Sequence, residues 1–340
     1  MHPDALTPLL FSLSESQALA PAIGEAAQLS LGVLEERNFE GGEFKIRPMQ
    51  SVRGRVAYVF QSLAGLGDTS PSERLLRLLF LLNTLRDGGA SECVALIPYL
   101  AFARKERRTQ LRDPVNTRYV AQLLETSGAD RILALDVHNP AALDNSFRIP
   151  VDHLSALPMM VDHFATRLSG AQIVIVSPDI GGIKRTQLFR EMLEKRLGRE
   201  VELAFIEKRR AMGVVSGGTL VGNTAGRTVI VLDDLCATGG TLLRAADACR
   251  KSGAAAVYVA VTHVPLASGL DALLAAQNIA GIVTTDSVGV LPAMRAAPRV
   301  IPPTLATLSI APLIGQALKR VLAGKPLGPL IERWPVPFEA

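Results

Sequence analysis

The sequence predicts an α/β protein with two successive, mainly parallel sheets flanked by helices. Three observations carry that expectation. Apolar runs rich in Val, Ile and Leu alternate with amphipathic stretches along most of the chain. Polar and charged clusters follow directly after several of those runs, where α/β sheets collect their ligands. The alternation also occurs in two sets of about 150 residues each, a common domain size.

In chain order, Val56–Phe60 predicts a strand and Ser72–Leu85 a helix opened by Pro71-Ser72-Glu73. Cys93–Pro98 is a strand, Pro114–Thr126 a helix with proline at its start, and Ile132–Leu135 a strand. The second set reads Val161–Leu168 helix, Ile173–Val176 strand, Thr186–Leu197 helix and Val201–Ile206 strand. Next come a strand from Thr228, a helix over Leu242–Ser252, and the segments Ala256–Val261, Leu270–Gln277, Ile279–Thr284 and Leu305–Ile310. A last helix covers Ala311–Leu322. The boundary falls near Pro150–Pro158, which divides the chain into 1–155 and 156–340, the second domain including the terminal helix.

Composition narrows the function. Hydrophobic residues make up 48% of the 340 positions and charged residues 20%, as in ordinary globular proteins. The net charge of +4 comes from 36 basic and 32 acidic residues. That balance argues against nucleic-acid or membrane partners, so an anion site must come from local clusters. No run of about 20 apolar residues is present, which argues against a membrane span. Met1-His2-Pro3-Asp4 lacks the basic start and apolar core of an export signal. Cys93, Cys236 and Cys249 have no metal-ligand spacing and fit a reducing cytoplasm. Cys236 has no partner base and is expected to pack rather than react.

The strongest chemical signal is Thr228–Thr241, which reads TVIVLDDLCATGGT. A buried strand ends in Asp233 and Asp234, and the loop Ala237-Thr238-Gly239-Gly240-Thr241 leads into a helix. The glycines let backbone N–H groups close on a small anion, the threonines add hydroxyls, and the helix dipole favours negative charge. The two acids can accept hydrogen bonds from vicinal sugar hydroxyls. A sugar phosphate offers both groups.

Five further clusters have weaker signals. Phe39 and Glu43, around Gly41-Gly42, form either a surface turn or a place for a purine to stack. Arg104, Lys105, Arg107 and Arg108 follow a strand and fit either a solvated face or polyphosphate binding. His138 in Asp136-Val137-His138 is either structural or a metal–nucleotide contact. Asp179 in Ser177–Gly182 is either a cap or a Mg²⁺ or ribose contact. Glu207–Arg210 leads into the Gly/Ser/Thr-rich stretch Ala211–Gly226, either a plain surface loop or a long mobile segment closing over phosphate chemistry.

Together and in this order, these segments resemble the ribose-phosphate diphosphokinase (phosphoribosyl diphosphate, or PRPP, synthetase) family. Matching stretches include Arg37–Glu43, Ser51–Gly54, Pro98–Arg108, Gly128–Arg131, Asp136–His138, Ile149–Asp152, Ser177–Gly182, Lys208–Arg210 and Asp233–Thr241. The resemblance implies two phosphoribosyltransferase-like domains, the first on the nucleotide side, and transfer of the pyrophosphoryl group of MgATP to ribose 5-phosphate. It implies Phe39, Glu43, Arg104, Lys105 and His138 at ATP, and His138 and Asp179 at Mg²⁺. It places Asp233, Asp234 and Ala237–Thr241 at ribose 5-phosphate, and Lys208 and Arg210 at the transferring group. It further implies a homodimer or larger homo-oligomer. Gly41, Lys105, Ala237 and the stretch after Arg210 depart from the common bacterial pattern. Two alternatives stay open: a phosphoribosyltransferase that consumes PRPP, and a non-catalytic regulatory homologue.

Overall fold

The computed structural model describes residues 6–65, 69–211, 214–289 and 305–332. The chain forms two compact units. The first comprises the described residues within Met1–Leu154, Ser287–Val290 and Ile310–Leu327, and the second those within Ser155–Asp286, Leu291–Ser309 and Gly328–Ala340.

The first unit contains β1 (Leu9–Ser12), α1 (Ala20–Ala27), β2 (Ser30–Leu31), β3 (Leu34–Asn38), β4 (Phe44–Pro48) and β5 (Val56–Phe60). It continues with α2 (Pro71–Asp87), β6 (Glu92–Ile97), α3 (Asn116–Thr126), β7 (Arg131–Leu135), α4 (Pro140–Asp144) and β8 (Val151–Leu154). Its six-stranded sheet has the order β2-β1-β5-β6-β7-β8 and every pairing is parallel. Strands β5 and β6 are near-continuous apolar runs because both faces are covered. β3 and β4 form a separate antiparallel hairpin.

The second unit contains α5 (Leu157–Arg167), β9 (Ile173–Ser177), α6 (Ile183–Leu197), β10 (Glu202–Ala211), β11 (Val214–Val221) and β12 (Thr228–Leu235). α7 (Gly240–Lys251), β13 (Ala256–His263), α8 (Ala267–Leu274), β14 (Gly281–Thr285) and β15 (Leu305–Leu308) follow. The sheet order is β11-β10-β9-β12-β13-β14-β15, parallel except for the β10–β11 pair. The chain reverses its direction across this sheet between β9 and β12. Ligands in open α/β sheets bind past the C-terminal ends of strands at such a reversal.

Three expectations are corrected. The stretch Ala211–Gly226 is not one long irregular segment, because Val214–Val221 pairs as β11 with β10. Gly217-Gly218 hides the period of its β-branched ends. Lys208 and Arg210 lie inside β10 and not beyond a strand end, with a register shift between them. The helix expected to be last, α9 (Ala311–Leu322), belongs to the first unit although a cut after 155 would assign it to the second half, and a short helix, α10 (Gly328–Glu332), follows it in the second unit. α9 packs on α1, and a side chain added at Gly315 would stand 2.3 Å from Ala26 Cβ. Only glycine permits that approach.

Candidate active site

The second unit's reversal carries the site's main acids. β12 ends in Asp233 and Asp234, the latter buried. α6 sends Arg185 across them: its Nη1 donates to Asp234 Oδ1 at 2.9 Å and to Asp233 Oδ1 at 3.3 Å. Asp233 Oδ1 also accepts the Asp234 backbone N–H at 2.9 Å. Burial, then the adjacent Asp234 carboxylate, push Asp233 above the usual carboxylate range, and Arg185 opposes them.

The loop Cys236–Gly239 continues directly from these acids. Cys236 is buried, and its N–H donates to the His263 carbonyl at 2.8 Å. Burial pushes its thiol up to about 11, so it packs rather than reacts. Gly239 has φ +79° and begins α7 with no side-chain cap. The first amides of α7 therefore lack the partner that a Ser, Thr, Asp or Asn would supply, which suits an anion. From the other side α8 presses closely: a side chain at Gly269 would stand 2.4 Å from the Ala237 carbonyl. Thr238 is exposed, and Thr241 Oγ1 accepts from Arg244 Nη2 at 3.3 Å.

The remaining candidates of this unit are Asp179, Lys208 and Arg210. Asp179 follows β9, and its Oδ1 accepts the Gly182 N–H at 3.2 Å, so the capping reading holds for this side chain. Ser177 Oγ donates to the Asp179 carbonyl at 2.6 Å, which fixes the turn. The side chains of Lys208 and Arg210 lie outside the described residues.

The other candidates belong to the first unit. Phe39 and Glu43 frame the β3–β4 turn, both exposed, with Phe39 N–H donating to Glu43 O at 2.8 Å. The Arg37 guanidinium lies 5.2 Å from the Phe39 ring centre. Arg104 is exposed after β6, whereas Lys105 is ion-paired with Asp113. Asp113 also accepts from the Thr109 hydroxyl and from the Thr109 and Gln110 N–H groups. Lys105 and these donors hold the Asp113 carboxyl well below its ordinary range. His138 is exposed in the turn between β7 and α4. Before it Asp136 adopts φ +39°, and Val137 N–H donates to His153 Nε2 at 3.1 Å. Among the described residues no three His, Cys, Asp or Glu side chains group as a metal cage.

Two family descriptions match the chain: the N-terminal domain of ribose phosphate pyrophosphokinase over residues 8–128, and the phosphoribosyl transferase domain over 155–298. The chain is 32% identical over 328 residues to ribose-phosphate pyrophosphokinase 1 of Streptococcus pneumoniae, covering 95% of this chain and 96% of that one. The Streptococcus mutans relative of the same name is 34% identical over 330 residues, with 95% and 96% covered. The chain belongs to the ribose-phosphate pyrophosphokinase family. Its fold is similar to that of phosphoribosylpyrophosphate synthetase from Mycobacterium smegmatis, with a TM-score of 0.82, 31% identity, and 94% and 100% of the two chains covered. Both units are thus those of the pyrophosphokinase fold.

Three residues of the candidate site escaped sequence reasoning. Gly269 is visible only once α8 is seen against the loop. Arg244 looks like one more surface cation of α7. Arg185 did leave a signal: a cation in the first turn of α6 opposes the helix dipole and therefore points to a carboxylate nearby.

Proposed function

We propose that the chain transfers the pyrophosphoryl group of ATP to the anomeric hydroxyl of ribose 5-phosphate, with the sugar phosphate held at the β12–α7 turn. The observation that carries this placement is the uncapped start of α7 directly after the Asp233–Asp234 pair, of which Asp234 is buried. The 5-phosphate takes the amides and hydroxyls of Ala237–Thr241. Asp233 and Asp234 accept hydrogen bonds from the ribose hydroxyls, and Arg185 keeps both carboxylates in place. The anomeric oxygen then attacks the β-phosphorus of ATP. The bond from that phosphorus to the α,β-bridging oxygen breaks, AMP leaves with the electron pair, and the hydroxyl proton passes to solvent.

Lys208 and Arg210 on β10 stabilise charge on the transferring group, a role in which positioning and cations matter more than covalent catalysis. Phe39 and Glu43 receive the adenine, and Arg104 and His138 lie on the nucleotide side. Lys105 joins them by releasing Asp113. Mg²⁺ supplies neutralisation of the polyphosphate. Asp179 is a hard oxygen donor and His138 an exposed imidazole, which fits an ion held largely by substrate phosphates and water rather than by a protein cage. The chain works as a homodimer or larger homo-oligomer, as its resemblance to the family implies.

³¹P NMR of the purified protein with Mg²⁺, ATP and ribose 5-phosphate tests the reaction. AMP and a sugar diphosphate should appear together. ADP with a sugar bisphosphate phosphorylated at separate positions, or no turnover in protein that binds ATP, would overturn it.

A further inference from the structure

The β3–β4 hairpin is set apart from the six-stranded sheet, and a lone hairpin is at best marginally stable. Alternation gives it two faces. Glu35, Arg37, Lys45 and Arg47 share the outer one, and Leu34, Glu36, Asn38, Phe44, Ile46 and Pro48 the inner one. Near the base this inner face is apolar, with Ile46 buried. Toward the tip it turns polar, and Glu36 and Asn38 stand where a core would place hydrocarbon.

One residue of α2 answers both. Arg77 is nearly enclosed, with 6% of its side chain exposed. Its Nη2 donates to Asn38 Oδ1 at 2.7 Å and to Glu73 Oε1 at 3.1 Å. Its Nη1 lies 3.8 Å from Glu36 Oε2, and its Nε 3.4 Å from Glu15 Oε1. The guanidinium also lies 4.6 Å from the centre of the Phe44 ring. Glu36 in turn accepts from Ser14 N at 2.8 Å and Ser14 Oγ at 3.1 Å. A single planar cation thus ties the hairpin to α2 and to the turn after β1. Its shortest bond ends on the residue immediately before Phe39.

We propose that Arg77 is a positioning residue for the nucleotide: it holds the hairpin against α2 so that Phe39 and Glu43 meet adenine in one geometry. The inference rests on the assignment of the hairpin to ATP. Apolar packing alone would keep the hairpin folded yet let its tip slide. Directional bonds from a rigid fork fix the tip, and lysine cannot reproduce that geometry.

The test compares Arg77→Lys, Asn38→Ala and Phe39→Ala by steady-state kinetics, with hydrogen exchange over residues 34–48. Asn38→Ala removes one bond and leaves the acids their cation, so it stays folded. Losing a charge-assisted bond at the tip should raise KM for ATP about tenfold in Arg77→Lys and somewhat less in Asn38→Ala. KM for ribose 5-phosphate should stay within about twofold, because that site belongs to the other unit, and hairpin amides should exchange faster while β5 and β6 do not. A lower melting temperature with unchanged KM for ATP in both variants would make Arg77 merely structural and overturn the inference. If Phe39→Ala also left KM for ATP unchanged, the nucleotide role of the hairpin would fall, and this inference with it.

Discussion

In the first unit the strand order reverses between β1 and β5, and in the second between β9 and β12. Past β12 the chain presents two acids, the short turn Cys236–Gly239 and a helix with no capping side chain. Past β5 the same position is filled by the protein itself. Gln61 and Ser62 are buried, Gln61 Nε2 donates to Glu15 Oε2 at 3.3 Å, Ser62 N–H donates to Ser16 Oγ at 2.9 Å, and Ser62 Oγ donates to the Ser287 carbonyl at 2.8 Å. The helix that follows, α2, is capped: Ser70 Oγ accepts from Glu73 N at 3.1 Å, with Pro71 at its first position. The same topology thus provides a place for a ligand but not the ligand. What differs is the helix start, capped by Ser70 in α2 and without a capping side chain in α7, and not whether the other polar groups are satisfied: the acids past β12 are already bonded by Arg185, and Gln61 Oε1 past β5 is buried without a hydrogen-bond partner.

Substitutions can break this contrast. The largest effect is expected at the cations of β10. Lys208→Ala should lower turnover by about 10³-fold with ATP binding retained, read by single-turnover kinetics and ATP titration. Loss of binding with normal turnover at saturation would contradict the assigned role.

Next, the second reversal can be made to resemble the first. Gly239→Asn adds a capping side chain to α7 in the residue type that best tolerates φ +79°, although its Cβ would stand 3.2 Å from the Gly269 carbonyl. KM for ribose 5-phosphate should rise by at least about tenfold, the equivalent of about 1.4 kcal/mol, with KM for ATP little changed.

Stability offers a third comparison. Burial and Asp234 raise Asp233 from 3.8 to about 8. A carboxyl raised on folding contributes stability that is full below its unfolded value and is lost as pH rises through the folded one. Asp233→Asn should therefore melt level with the parent near about pH 4 and increasingly above it toward about pH 8, by about 2–4 °C for each kcal/mol recovered. Calorimetry across that range checks the sign, and the same variant should be a poor catalyst. The smallest effect belongs to the closed reversal. Ser70→Ala should lose only the α2 cap, about 1 kcal/mol by denaturant titration, with kinetics unchanged.

The parts of the fold that were legible in the sequence are those whose pattern is local. β12 announces itself by an apolar run ending in acids, and the helix start after it by Thr-Gly-Gly-Thr. The hairpin was not legible as two strands, because Glu36 and Asn38 break the apolar alternation of its inner face and make sense only beside Arg77. Arg185 reaches acids that lie 48 and 49 residues further along the chain, a pairing no local pattern encodes. The bond from Lys105 to Asp113 depends on how the loop folds back on itself.

The return of α9 to the first unit has a consequence for synthesis. On the ribosome α1 emerges early, yet its face at Ala26 waits for residues 311–322 to cover it. The unit begun first is thus completed only after most of the second has been synthesised, so the two units do not fold strictly in chain order. Until residues 311–322 are synthesised, that face of α1 stays uncovered.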